Sequence, residues 1–275
     1  MIHANPVTAS QGWAWVVQGF ALFRARPLLW LAMTTVYLAI AMVLGLIPFI
    51  GWLLLVLLTP PLLLGSLSIA KAVHGQTLAA DVLPAAPSML NVQAWPIYLR
   101  DFFKAAAGKL FAGFSSEEKL LPVMVMSTLL LGGVIAIRIL AQLLRVGGAA
   151  LPSMLTGVGP SVWLTALLGL VVVLGLYALL LMAFVYTVPL ILFRGSHPLP
   201  AIESSFVAAS ENWKAFGIFV TVFSLAGEVA RVLFLSLPFP YDYLAFLALG
   251  MVLLPVLVGG LYASYLDLFT PRTAL

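Results

Sequence analysis

Three charged side chains stand in stretches that are otherwise apolar: Arg138, Glu228 and Arg231. A charge at the centre of a membrane helix costs about 2.5–3.5 kcal/mol on insertion scales, so such residues are expected to pair or to mark a path. Glu228 and Arg231 are i, i+3 neighbours, within bridging reach on one helical face. Thr221 and Ser224 continue that face, at i, i+3, i+7, i+10 spacing, while Ser127, Arg138, Gln142 and Arg145 fall near one face of another segment. Arg138 lies ~27 Å and Arg231 ~22 Å from the starts of their segments at 1.5 Å per residue, which predicts similar depths. The expectation is an intramembrane cluster of Arg138, Glu228, Arg231, Gln142, Ser224 and Thr221. It reads as structural glue between two helices or as a hydrophilic path and counter-ion site for a substrate. A proton relay needs several carboxylates or histidines in series, and only one carboxylate is here. An arginine near the boundary also snorkels to water along its own stem.

Little else in the chain suggests chemistry. Cysteine is absent, and His3, His74 and His197 are scattered outside the apolar stretches. There is no phosphate-binding loop, no HExxH, no Gly-x-Ser-x-Gly and no dinucleotide fingerprint. No catalytic residue, cofactor or metal site is assigned, and the expectation is a protein that is not an enzyme.

The elements that must position the charges follow from composition. The chain is 63% hydrophobic and 8% charged, with mean hydropathy +1.15, whereas soluble domains carry about 25% charged residues. Pro27 to Ala70 and Gly147 to Phe193 contain no charge at all. Crossing ~30 Å of hydrocarbon takes about 20 apolar residues, so each stretch holds two crossings. Continuous Leu, Ala and Val runs predict helices, since a barrel would alternate apolar and polar residues. The fold class is therefore an all-α, polytopic bundle of six spans, about 28–48, 51–71, 120–143, 163–187, 216–237 and 243–265, in one transmembrane domain. Pro48-Phe49-Ile50-Gly51 makes the first turn, and Arg145 to Ser161 separates spans three and four.

Ten of the thirteen basic residues lie on one side of this topology: Arg24, Arg26, Lys71, Arg100, Lys104, Lys109, Lys119, Arg194, Lys214 and Arg272. The positive-inside rule makes that side cytoplasmic, with both termini on it. A charge of +4 in such a chain reports topology, and no nucleic-acid partner is expected. Residues 1–26 do not read as a cleaved signal, because Arg24 and Arg26 follow the apolar stretch.

Before each odd-numbered span lies an amphipathic stretch too short or too polar to cross: Ser10 to Arg26, Phe102 to Phe114 and Pro198 to Trp213. These are expected as interfacial helices lying in the headgroup plane. Each even-numbered span carries prolines (Pro60 and Pro61, Pro189, Pro255), read as kinks, and Pro61-x3-Gly65 repeats as Pro255-x3-Gly259. The unit is thus a short helix plus a hairpin, used three times. Broken helices also expose carbonyls in many transporters. Trp13, Trp15, Trp30 and Trp213, like Trp52 and Trp163, are expected as headgroup anchors. Residues 73–100, with Pro84, Pro87 and Pro96, read as a cytoplasmic loop or insertion.

Several of these runs resemble a group of uncharacterised proteobacterial inner-membrane proteins of the YciC-like kind. The likeness rests on Gly12-Trp13-x-Trp15-x3-Gly19-x2-Leu22-Phe23-x3-Pro27-x2-Trp30, on Pro48-x2-Gly51 and on the Pro60/Gly65 pair. Ala201, Ser205, Ala208 and Asn212, and the close from Tyr262 to Phe269, are similar too. The chain departs from that pattern around 77–100, which looks inserted, and at Leu266, where a basic residue is more usual. The resemblance implies a six-helix fold in a bacterial inner membrane and no defined activity.

The functional expectation is an accessory or scaffold subunit that acts by interaction with other membrane-protein subunits. Three short helices and a proline-rich loop offer contact surface, and Gly132-Gly133 and Gly259-Gly260 let helices approach closely. The alternatives are a carrier for a small amphipathic or anionic molecule using the Arg/Glu cluster, and a lipid-binding or membrane-organising protein. In every case the lipid bilayer is a partner.

Overall fold

The structure, a computed structural model, describes residues 3–75, 87, 91–114, 117–155, 160–234, 236–238 and 240–270. Among the described residues, ten α-helices form from the sequence signals above. They are α1 Gln11–Ala25, α2 Pro27–Gly45, α3 Ile50–His74, α4 Trp95–Leu110, α5 Glu117–Leu155, α6 Pro160–Phe184, α7 Thr187–Arg194, α8 Pro198–Glu211, α9 Trp213–Phe234 and α10 Tyr241–Phe269. No strand occurs among the described residues. Among the described residues, six helical stretches are long and apolar enough to cross a membrane: Pro27–Gly45, Ile50–His74, Glu118–Leu144, Leu167–Arg194, Trp213–Phe234 and Leu244–Phe269.

Local chemistry sets the breaks. Arg26 precedes a proline, a position from which helical backbone is disfavoured, and its φ of −145° and ψ of 62° turn the chain from α1 into α2. Pro27 then opens α2, where a missing N–H costs nothing. The corner between α2 and α3 is closed by Phe49 in a positive-φ conformation (φ 61°). At Gly51 a Cβ would sit 1.7 Å from the Leu44 carbonyl oxygen, so only glycine fits.

Helix α5 runs on to Leu155, through Gly147 and Gly148, where the sequence suggested a separating segment from Arg145. Glycine weakens a helix by about 1 kcal/mol per residue without forbidding it, and continued helix keeps the backbone satisfied. Residues 156–159 and the Arg145 side chain lie outside the described residues. Within the expected 73–100 loop, α3 reaches His74 and α4 starts at Trp95, with Pro96 in its first turn; residues 76–86 and 88–90 lie outside the described residues.

The fourth span is broken. Helix α6 ends at Phe184, and α7 restarts at Thr187. Pro189 cannot donate to the carbonyl of Val185, so the ladder opens there. Ser205 of α8 fills the gap: its hydroxyl accepts the Tyr186 N–H at 3.0 Å and donates to the Met182 carbonyl at 2.8 Å.

The three short helices share one rule of packing. Helix α4 lies on the hairpin α2–α3, α8 on α5 and α6–α7, and α1 on α9–α10. Each short helix therefore sits on the hairpin that precedes it, and the first sits on the last, closing a ring. The Pro-x3-Gly spacing marks two of the seats. A Cβ at Gly65 would stand 2.0 Å from the Leu110 carbonyl of α4. At Gly259 it would stand 3.0 Å from the Gly19 Cα of α1. Close backbone approach needs glycine at both.

Candidate functional site

The charges do not assemble as their spacing suggested. Glu228 and Arg231 do pair, with the Arg231 Nε–H donating to Glu228 Oε2 at 2.9 Å and a second bond from Nη2 to Oε1. Their side chains are 57% and 56% exposed, however, on the outer flank of α9. Arg138 places its guanidinium over the Trp52 ring, 4.5 Å from the centroid. Glu228 pairs with Arg231 on its own helix and Arg138 stacks on Trp52 of α3, so no Arg–Glu–Arg glue joins spans three and five. The reason is rotational: α5 packs on α3 and α6, which carries its charged face away from α9. Gln142 and Thr221 are exposed as well. Of the six residues of the expected cluster, Ser224 alone lines a cavity, and it too is exposed, at the cavity's open side.

That cavity, of about 590 Å³, takes walls from all six spans and is open at its side, where Leu181 and Ser224 are exposed. Such a volume falls within the roughly 300–1,000 Å³ of small-molecule sites. Leu62, Leu63, Met126, Leu180, Phe219 and Leu257 represent its lining, which is overwhelmingly apolar and contains no charged side chain. Hydroxyls interrupt it at Thr34, Tyr37, Thr59, Ser66, Tyr177 and Ser224. Thr59 and Ser66 donate back to the carbonyls of Leu55 and Leu62, at 2.7 and 3.0 Å. Their lone pairs stay available as acceptors.

The kinks belong to this cavity. Pro60 and Pro255 both line it, on facing spans. Neither proline can donate an N–H, so the carbonyls of Val56 and Met251 lose their helical donors, as does that of Leu57 below Pro61. Pro189 acts elsewhere, at the break bridged by Ser205. The cavity offers a few acceptors to a molecule that brings its own donor.

At the end of the bundle that carries the short helices, a second set of residues was not legible from spacing. Trp15 and Trp30, expected as headgroup anchors, are buried, whereas Trp13 and Trp213 are exposed. The Trp15 indole donates to Asp267 Oδ2 at 2.7 Å, and Gln11 Nε2 donates to the same oxygen at 2.9 Å. The Trp30 indole donates to the Leu22 carbonyl at 3.1 Å. Asn5 reaches the last carbonyls of α10, with its backbone N–H on Leu268 at 2.7 Å and its amide on Thr270 at 2.8 Å. Arg194 donates to the Phe269 carbonyl, where the negative end of the helix favours a cation. These bonds are architectural: they tie α1 and α7 to α10. No group of three or more His, Cys, Asp or Glu that could hold a metal ion occurs among the described residues.

Comparison of the chain with family models, with curated proteins and with solved structures finds no match.

Proposed function

We propose that this multi-pass membrane protein is a carrier or holder of an amphipathic, lipid-like molecule, whose apolar part occupies the central cavity. The observation that carries this reading is the cavity itself: all six spans contribute to one apolar space with hydroxyls and no charge. An open apolar recess of this size lets a lipid-like chain enter from the bilayer and supply the contacts that its walls lack. The reading departs from a carrier built on the Arg/Glu cluster, since those charges lie on outer flanks. It needs no bond-making chemistry.

The basic residues and the resemblance to YciC-like proteins support a bacterial inner membrane, with the short-helix end and both termini in the cytoplasm. The subunit reading keeps one observation in its favour. Glu228 and Arg231 face out of the bundle, where another membrane protein or the headgroup layer would receive them.

Trp30 walls the cavity, so a variant keeping Trp30 as its sole tryptophan reports on occupancy. Brominated fatty acid is expected to quench it saturably, with competition from the unbrominated chain. Quenching that never saturates would identify bulk lipid contact and overturn the reading.

A further inference from the structure

The cavity opens sideways between spans four and five. Helix α6 packs on α5, α7 and α8, and α9 on α1, α8 and α10, so no packed seam closes the two on each other. Leu181 of α6 and Ser224 of α9 both line the cavity and are exposed at that side. On α9 the lining ends at Ser224, and the ion pair Glu228–Arg231 stands just beyond it. At 3.6 residues per turn and 1.5 Å per residue, Arg231 lies about 10 Å farther along α9 than Ser224 and within about 20° of its direction. Glu228 lies about 6 Å farther and about 40° round. The pair is therefore set over the open side of the cavity. Depth agrees with a headgroup position. Trp213 is exposed at the start of α9, and Arg231, in the last turn, is about 27 Å from it, close to the ~30 Å of hydrocarbon.

From this we infer that Glu228 and Arg231 hold the head of a zwitterionic phospholipid, one bearing a phosphate and an ammonium, whose chain enters the cavity beside Ser224. The inference rests on the cargo reading above and names the class of cargo. Arg231 gives its Nε–H and one Nη2–H to Glu228. A guanidinium has five N–H donors, so three are left for phosphate oxygens, and the carboxylate keeps lone pairs for an ammonium. The paired charges thus match a zwitterion, with the phosphate on Arg231 and the ammonium on Glu228. An anionic head meets a like charge at Glu228, and a cationic head meets one at Arg231. Ser224 adds a hydroxyl at the level where such a lipid carries its ester carbonyls, and the apolar walls beyond it take the chain. Charge, hydroxyl and apolar surface follow one another along α9 in the order they take along the lipid.

The test is native mass spectrometry of the full-length protein in detergent, titrated with phosphatidylethanolamine, phosphatidylglycerol and diacylglycerol of the same chains. Phosphatidylethanolamine is expected to bind about tenfold more tightly than either of the others, the worth of a hydrogen bond to a charged group. Glu228→Met with Arg231→Leu removes both charges and is expected to bring all three lipids to the affinity of diacylglycerol. Glu228→Gln leaves the guanidinium alone and is expected to turn the preference to phosphatidylglycerol, a reversal that a merely structural pair would not produce. Arg100→Gln breaks the ion pair with Asp101 on α4 and should leave the order of the lipids unchanged. An unchanged preference in the double variant would overturn the inference. Equal affinity for all three lipids, abolished when Leu130→Trp fills the cavity, would keep the cargo and overturn the headgroup site alone. Binding of none of them would overturn the cargo reading and this inference with it.

Discussion

The indole N–H of Trp15 donates to Asp267 Oδ2 across 2.7 Å, joining the first helix to the last over 252 positions of sequence. This bond and its neighbour from Gln11 seat α1 on α9–α10 and so close the ring of short helices. Asp267→Ala leaves the buried Trp15 donor unsatisfied, and the expected loss of stability is about 1–3 kcal/mol. Trp15→Phe removes the donor and keeps most of the packing, so it should cost less. Thermal unfolding of the purified variants in one detergent measures both, and a cost from Trp15→Phe larger than that from Asp267→Ala would show that packing, and not the bond, holds α1.

The glycine seats predict a sharper result. A Cβ at Gly19 would stand 2.2 Å from the Val256 carbonyl oxygen and 2.6 Å from the Gly260 nitrogen. Gly19→Leu should therefore displace α1, and protease should then cut in residues 3–26. Gly108 and Gly132 have nothing within 4 Å of a built Cβ, and alanine at either should leave the protease pattern unchanged. Equal behaviour of all three would refute the seating of α1.

Ser205 bridges the break in the fourth span with one hydroxyl. Ser205→Ala strands the Tyr186 N–H and the Met182 carbonyl, and an unsatisfied buried group costs about 1–3 kcal/mol. Hydrogen exchange should quicken at Tyr186, between α6 and α7, ahead of α6 itself. Unchanged protection there would mean the break is satisfied some other way.

The Glu228–Arg231 pair predicts an asymmetry. The double variant Glu228→Met with Arg231→Leu removes both charges from an exposed flank, and a monodisperse, folded protein is expected on size-exclusion chromatography. Glu228→Met alone leaves an unpaired cation there and should lower the yield of inserted protein. Unfolding of the double variant would restore the glue reading that the geometry disfavours.

Much of the architecture was legible in the sequence, because hydropathy and length alone decide which helices can cross. Six spans and the short helices before the odd ones follow from averages over many residues. What sequence spacing lacks is rotation. Periodicity puts Thr221, Ser224, Glu228 and Arg231 near one face of α9 without saying where that face turns. The same gap made anchors of Trp15 and Trp30, since a tryptophan near a helix end reads alike whether its indole meets headgroups or Asp267. The Pro-x3-Gly repeat was visible at Pro61/Gly65 and Pro255/Gly259, but its meaning, a seat for a short helix, lies in contacts between distant segments. The central cavity left no signal, because its walls are the same apolar residues that face lipid.

The central claim is that the bundle holds a lipid-like amphiphile in that cavity. It is tested most directly by native mass spectrometry of the protein extracted gently from its own membrane, beside Leu130→Trp and Ser224→Trp, which fill the cavity from α5 and α9. The account predicts a bound amphiphile of defined mass on the unaltered protein that is lost from both filled variants while they stay folded. The same adduct on all three proteins, or none on the unaltered protein, would contradict it.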